Sequence, residues 1–314
     1  MIGAGPRQQR TESAGAETAV QTPMQIAILS RSATLYSTRR LAEAGRACGH
    51  EVYVLDTLQM AQNFGLLPLR GARRPLPTDL DAVIPRIGAS ITTYGVAVVR
   101  HLERQGLLTT AAADGILTSR DKRRSWRLMA AAGLPVPRTA SVVNQMELTR
   151  AAKLVGGPPL VIKLLQGTQG RGVILARDMT TARAVLNVLQ HHGIGEVLVQ
   201  EFVAEAQARD WRLLVVGGRC IAAMEREAAA GEFRANIHRG ARSQPLEVGE
   251  SVAALAVNAA VLHELGVAGV DIIPSERGPL LLEVNSSPGL EGIEQTTGVN
   301  VAAATIAYLE SLAR

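Results

Sequence analysis

The chain has 314 residues, 47% of them apolar and 19% charged, which is enough to build several packed subdomains and excludes a disordered protein as a whole. No apolar run reaches the ~20 residues that a membrane-spanning helix needs, and the opening stretch lacks the apolar region of a secretory signal. The formal net charge of +5 leans toward acidic partners, but few aromatics and no run of five like charges argue against a dedicated nucleic-acid binder.

In chain order, residues 1–23 are rich in Gly, Ala, Gln, Thr and Ser and are expected to form a disordered extension. Ile26-Ala27-Ile28-Leu29 predicts a buried strand over 25–30. Residues 37–48 follow a helical pattern that Gly49 closes. Strands are predicted over 52–55 and 82–85, and a helix over 91–104. This alternation predicts an open α/β domain with a mainly parallel sheet over 24–117. Two cysteines, Cys48 and Cys220, lie in unrelated segments without a C-x-x-C pair, which fits a reducing cytoplasm.

A basic helix is predicted over 120–132, ended by Gly133-Leu134-Pro135-Val136-Pro137. Strands over 138–143, 160–165, 173–176 and 197–202, with helices over 147–155 and 180–191, describe a small α+β lobe, residues 118–202. A second lobe, 203–314, carries strands near 210–216, 220–226, 267–273 and 279–285 and a long helix over 251–265. A loop from Thr296 precedes a final helix.

The most specific chemistry comes from hairpin geometry. Gly269-Val270-Asp271-Ile272-Ile273 and Leu281-Leu282-Glu283-Val284-Asn285 flank Ser275-Glu276-Arg277-Gly278-Pro279, a turn by composition. A hairpin centred on Arg277 sets Asp271 opposite Glu283, and the two-residue period puts Asn285 on the same face. Two opposed carboxylates repel unless a cation joins them. Donors that are all hard oxygens favour magnesium over zinc. A register shifted by one residue would instead turn one carboxylate to solvent.

Gly167-Thr168-Gln169-Gly170-Arg171-Gly172 lies between two predicted strands. It is neither a Walker A nor a dinucleotide fingerprint, because no Lys-Ser/Thr and no helix follow. A glycine-rich loop between strands can cover nucleotide phosphates, and a plain flexible hairpin is the alternative. Lys163, inside the apolar strand just before this loop, is costly there unless an anion is near or the strand is an exposed edge. Arg212, Arg226, Arg234, His238, Arg239 and Arg242 concentrate donors suited to carboxylate or phosphate. Salt bridges to Glu225, Glu227 and Glu232 are the alternative use of these arginines. No Ser-His-Asp set and no activated cysteine stands out, so catalysis would rest on positioning and electrostatics.

Several stretches from Met24 nearly to the end resemble the RimK family of ATP-grasp ligases. They include Ile28-Leu29-Ser30-Arg31, Ile84-Pro85-Arg86-Ile87-Gly88, Arg120-Asp121-Lys122 and Phe233-Arg234-Ala235-Asn236. The most specific is Glu283-Val284-Asn285-Ser286-Ser287-Pro288-Gly289-Leu290-Glu291-Gly292-Ile293-Glu294. The resemblance implies an α/β and α+β protein, with an N-terminal pre-ATP-grasp domain and two ATP-grasp lobes sandwiching ATP. By position, it implies that Lys122 and Lys163 contact the nucleotide phosphates beneath the loop of Gly167, Thr168, Gln169, Gly170 and Gly172. Glu201 and Phe202 would line the adenine, and Asp210 would reach the ribose. Arg234, Ala235 and Asn236 would hold the transferred phosphate. Asp271, Glu283 and Asn285 would bind magnesium or manganese, as two ions. Arg212, Arg234, Asn236 and Arg239 would serve catalysis.

The implied reaction phosphorylates a carboxylate with ATP and lets the amine of L-glutamate displace phosphate. The implied acceptor is the C-terminal tail of small-subunit ribosomal protein six, with free poly-glutamate as a further product, and the family suggests a homo-oligomer. The alternatives are a ligase for another acceptor, such as an amino-group carrier protein or a small cofactor, and a non-catalytic ATP-binding adaptor. The chain departs from the family at its N-terminal extension and at Trp211, Ala241 and Ser286. Of these, Trp211 and Ala241 are expected near the acceptor side.

Overall fold

The structure, a computed structural model, describes residues 22–61, 70–71, 77, 79–165, 172–235 and 240–314. The expected disorder of 1–23 therefore falls almost wholly outside the described residues. So do the glycine-loop residues Gly167, Thr168, Gln169 and Gly170, and Asn236, His238 and Arg239.

The chain opens with β1 (Gln25–Leu29), α1 (Tyr36–Ala47) and β2 (Glu51–Leu55). A two-residue ribbon, β3 (Met60–Ala61) with β4 (Arg70–Gly71), precedes β5 (Ala82–Pro85), α2 (Thr92–Arg104) and β6 (Leu108–Thr109). The parallel sheet runs β2-β1-β5-β6. Ile26, Ala27, Ile28 and Leu29 are fully buried, so the unbroken apolar run reflects a strand covered on both faces. Strand order reverses between β1 and β5. That reversal places a crevice at their carboxyl ends, beside Ser30 and Arg86, where open α/β sheets characteristically bind ligands.

The predicted basic helix is two helices. α3 (Ala113–Arg120) and α4 (Lys122–Ala131) are separated by Asp121, which is extended at φ −100° and caps α4 by accepting from the Arg124 amide at 3.0 Å. The boundary drawn at residue 117 thus falls inside α3. Gly115 lets α3 approach the end of a later helix, because a Cβ there would lie 2.2 Å from the His263 carbonyl.

The next sheet is antiparallel, in the order β7-β10-β8-β9. Its strands are β7 (Thr139–Val142), β8 (Leu160–Leu164), β9 (Val173–Ala176) and β10 (Val197–Glu201). α5 (Gln145–Val155) and α6 (Met179–His191) pack on it through Leu148, Val155, Ala182 and Leu186, and this lobe has its own core. Asn144 and Asp178 cap the two helices.

The last sheet, β13-β12-β11-β14-β15, is also antiparallel. It contains β11 (Arg209–Val216), β12 (Arg219–Glu227), β13 (Arg242–Pro245), β14 (Val267–Ile273) and β15 (Leu280–Asn285). One face packs on α7 (Glu250–Leu262); the other meets α8 (Glu291–Thr297) and α9 (Val301–Leu312). β13 and α8 are absent from the sequence-based elements. β13 reads Arg-Ser-Gln-Pro, four exposed residues on a sheet edge with no apolar alternation to reveal them. A shared core joins Ala27 and Val83 of the first sheet to Trp126 and Met129 of α4 and to Leu213 and Val270 of the last sheet. The parallel domain and the C-terminal lobe therefore share one core. No helix among the described residues is long and apolar enough to cross a membrane.

Candidate functional site

The hairpin comes first. Asp271 pairs with Glu283 across β14 and β15, and Gly269 pairs with Asn285. A bulge after Asp271 shifts the turn-side register, so Ile272 pairs with Leu281, but it leaves the carboxylate pair directly opposed. Glu283 and Asn285 thus share one face with Asp271. Asn285 donates its amide to the Gly269 carbonyl at 3.3 Å, which leaves its oxygen free to act as a donor to a cation.

These three residues line a cleft of about 200 Å³ between the β7-β10-β8-β9 sheet and the last sheet. Lys122, Lys163, Glu201, Phe202, Asp210, Arg212, Arg234 and Ala235 line the same cleft. Lys163 reaches it from β8. Burial, with Lys122 alongside, pulls its ammonium down to about 8 against the opposing pull of Glu283 and Asp271. Gly172, at φ +75°, ends the glycine loop and accepts at its carbonyl from the Leu164 amide at 2.8 Å. A side chain there would be strained and would press on Leu164 at 2.8 Å.

The face of β11 turned to the cleft carries Asp210 and Arg212, two residues apart. Arg212 sits opposite Asp271 and grips it with paired donors, Nη2 to Oδ2 at 2.7 Å and Nε to Oδ1. Arg226, opposite Asp210 on β12, holds that carboxylate at 2.6 and 2.9 Å and reaches Asp271 at 3.2 Å. Among the described residues, the predicted alternative, pairing of these arginines with Glu225, Glu227 and Glu232, is met by Arg234, which pairs with Glu232 at 2.6 Å. Arg212 and Arg226 take aspartates instead, because strand register puts those opposite them. Burial pushes Asp210 up to about 6, with Arg226 opposing. Burial also acts against the Asp271 carboxylate, but the Arg212 and Arg226 guanidiniums outweigh it and hold its pKa below the usual range.

Trp211 is on the other face of β11, bonded to Glu225 at 3.2 Å and packed on the shared core. It does not line the cleft, contrary to its expected place on the acceptor side. Glu201 is pinned rather than open: the Arg138 amide and Nε donate to it at 2.8 and 2.7 Å, and Arg277 of the hairpin turn donates as well. That strap between β10 and the β14–β15 turn had no sequence signal, because Arg277 reads as a turn residue. The pairing of Arg226 with Asp210 could have been found by setting Asp210-Trp211-Arg212 against Met224-Glu225-Arg226 as neighbouring strands.

The donor set fits a hard divalent cation: two carboxylates and an amide oxygen on one face, with lysines near enough to engage a metal-bound phosphate. Among the described residues no cluster of three or more His, Cys, Asp and Glu is arranged for a metal, as expected when the third ligand is an asparagine.

A family model described as the RimK-like ATP-grasp domain matches residues 119–309, and one described as the RimK pre-ATP-grasp domain matches residues 24–116. A protein of Marinomonas sp. (strain MWYL1) named probable alpha-L-glutamate ligase is 48% identical over 293 residues, 92% of this chain and 96% of that one. A protein of the same name from Xanthomonas axonopodis pv. citri (strain 306) is 47% identical over 294 residues, 93% and 99% of the two chains. In fold, the chain is similar to the ATP-grasp ligase PsnB complexed with minimal precursor, with TM-score 0.73 and 20% identity over 93% and 99% of the chains. It is also similar to the D-alanine–D-alanine ligase of Bacillus anthracis complexed with ATP, with TM-score 0.65 and 16% identity over 92% and 98%.

Proposed function

The chain belongs to the RimK-like ATP-grasp family of ligases, and from that premise we propose that it is an ATP- and magnesium-dependent L-glutamate ligase whose acceptor is the C-terminal tail of small-subunit ribosomal protein six. The observation that carries the reading is the convergence of Asp271, Glu283 and Asn285 with Lys122 and Lys163 in one cleft between two lobes. The names of the relatives support glutamate as the substrate that is joined.

The reaction has two steps. An acceptor carboxylate oxygen attacks the terminal phosphorus of ATP, and ADP leaves. The amine of L-glutamate then attacks the acyl carbon, phosphate leaves with the bonding pair, and the amine loses a proton. Lys122 and Lys163 hold nucleotide phosphates, and Phe202 lines the adenine end beside Glu201. Arg212 and Arg234 stabilise charge that develops on the transferred group and on the tetrahedral intermediate. Magnesium held by Asp271, Glu283 and Asn285 would neutralise charge on the phosphate oxygens. Asn236 and the loop of Gly167, Thr168, Gln169 and Gly170 are assigned to phosphate by position in the family motif, and Arg239 to the tetrahedral intermediate or the acceptor carboxylate.

The basic lining of Arg212, Arg226 and Arg234 suits an acidic tail growing by glutamates. Two free cysteines support a cytoplasmic setting. The test is intact mass of the organism's own ribosomal protein six after incubation with enzyme, MgATP and L-glutamate. A ladder in steps of one glutamate residue supports the acceptor. Unchanged protein alongside glutamate-dependent ADP release moves the acceptor to free poly-glutamate or another carrier.

A further inference from the structure

Ser125 and His263 meet in the interior, away from the cleft. The Ser125 hydroxyl on α4 lies 2.8 Å from His263 Nε2, just past the end of α7. Ser125 is 4% and His263 1% exposed, and neither is in the lining of the cleft. Their neighbours in the chain, Trp126, Met129, Ala259 and Ala260, belong to the shared core. His263 Nδ1 donates to the Ala259 carbonyl at 2.8 Å, and a carbonyl can only accept. That contact fixes the ring proton on Nδ1 and leaves Nε2 to accept from the Ser125 hydroxyl. Burial lowers the His263 pKa below its ordinary 6.5, with the Ala259 bond opposing, so the ring is neutral at pH 7.

A neutral pair of this kind adds little net stability, because each group gives up water to meet the other. What it adds is direction. Trp126 and Met129 hold α4 to the core through apolar contact, which tolerates small slides and rotations of a helix. A buried donor and acceptor that satisfy one another do not. Lys122 lies three residues before Ser125, about 4.5 Å along the helix axis, and lines the cleft. Residues three apart share a helix face, so a shift of α4 at Ser125 passes directly to Lys122. The start of α4 is also tied to the middle lobe. The Lys122 amide donates to the Leu165 carbonyl at 3.2 Å, and Arg123 pairs at 2.6 Å with Glu196, just ahead of β10. His263 follows α7, which packs on the sheet that carries Asp271 and Glu283. The Ser125–His263 bond therefore references the Lys122 turn to the lobe of the opposed carboxylates.

We propose that Ser125 and His263 are positioning residues, which set the height and rotation of α4 so that Lys122 meets the nucleotide phosphates. The inference rests on the ligase reading for the role of Lys122. Neither residue touches a substrate; both act through the lysine one turn away. Loss of the bond leaves a buried donor or acceptor without its partner, and α4 resettles on its apolar contacts alone. Nucleotide affinity then falls with the placement of one ammonium.

The test is calorimetric binding of a non-hydrolysable ATP analogue with magnesium to the full chain, which needs neither turnover nor a known acceptor. Ser125→Ala and His263→Leu each weaken binding by about tenfold, the size of one charge-assisted hydrogen bond. Ser125→Thr and His263→Gln keep a donor and an acceptor in place and bind within about threefold of wild type. Lys122→Met loses about the same tenfold, and adding Ser125→Ala to it costs no more, because the group being placed is gone. Thermal melts accompany each variant. Where a truncation does not melt cooperatively, Ser125→Cys, which keeps the volume and weakens the donor, replaces it in the cycle with a smaller loss. Variants that melt lower but bind the analogue like wild type make the pair merely structural and overturn the proposal. Losses that add to that of Lys122→Met overturn it too, as does a wild type that binds no analogue. The expected coupling in a chain that releases no ADP with L-glutamate and acceptor would defeat the ligase reading and leave the positioning role standing.

Discussion

Asp271 and Glu283 face each other across the β14–β15 ladder, and the other side of Asp271 is closed by Arg212 from β11. The carboxylate that would share a cation with Glu283 is therefore also balanced by arginine.

The first prediction concerns that balance. Asp271→Asn leaves two buried guanidiniums short of a charge and should destabilise the fold by roughly 3–5 kcal/mol, the cost of breaking a buried pair from one side. The Asp271 carboxyl is held below its ordinary 3.8 in the folded state. Its contribution is thus complete above that pH and lost as pH falls through the lower folded value. Denaturant melts at pH 7 and pH 3 should show the gap between wild type and Asp271→Asn narrowing in acid.

Lys163 gives a stability slope of the same sign in a higher pH window. Its folded ammonium titrates at about 8 against 10.5 for the free side chain. Between those values the unfolded chain binds the extra proton, so this group makes stability rise with pH. Function runs the other way, because the charged form holds phosphate. The kcat/KM for MgATP, which reports the free enzyme, should fall with single-proton slope above about pH 8. Lys163→Arg should flatten that limb, and Lys163→Met should lower kcat/KM at every pH.

Glu201 is bound by Arg138, just ahead of β7, and by Arg277 of the β14–β15 turn. Glu201→Gln removes the charge that joins them and should raise KM for ATP by about tenfold, with a smaller effect on kcat. Steady-state kinetics with varied ATP at saturating glutamate reads this split.

Gly115→Ala tests the packing of α3 against the end of α7, at a residue outside the lining of the cleft. The added methyl meets the His263 carbonyl at 2.2 Å and should cost about 1–3 kcal/mol. Thermal melts should show the loss, while KM for glutamate stays unchanged.

The hairpin that opposes Asp271 and Glu283 was legible in the sequence because three local signals agree there: apolar alternation, a turn of Ser, Gly and Pro, and a two-residue spacing of polar side chains. The bulge after Asp271 was not legible, since a bulge is set by pairing and leaves no compositional trace. The break at Asp121 was visible in principle, as an Asp ahead of a helical run is a capping signal, but continuous positive charge masked it. Arg226 was legible only as a charge. Its partners Asp210 and Asp271 come from two other strands, and sequence distance hides such pairs.

The measurement that bears most directly on the central claim is ADP release from MgATP by the wild-type chain and by Glu283→Ala, with and without L-glutamate and acceptor. Wild type should release ADP in a glutamate- and acceptor-dependent manner, and a Glu283→Ala protein that still melts cooperatively should not. A folded Glu283→Ala protein that releases ADP at the wild-type rate would contradict that claim, because the opposed carboxylates would then have no part in phosphoryl transfer.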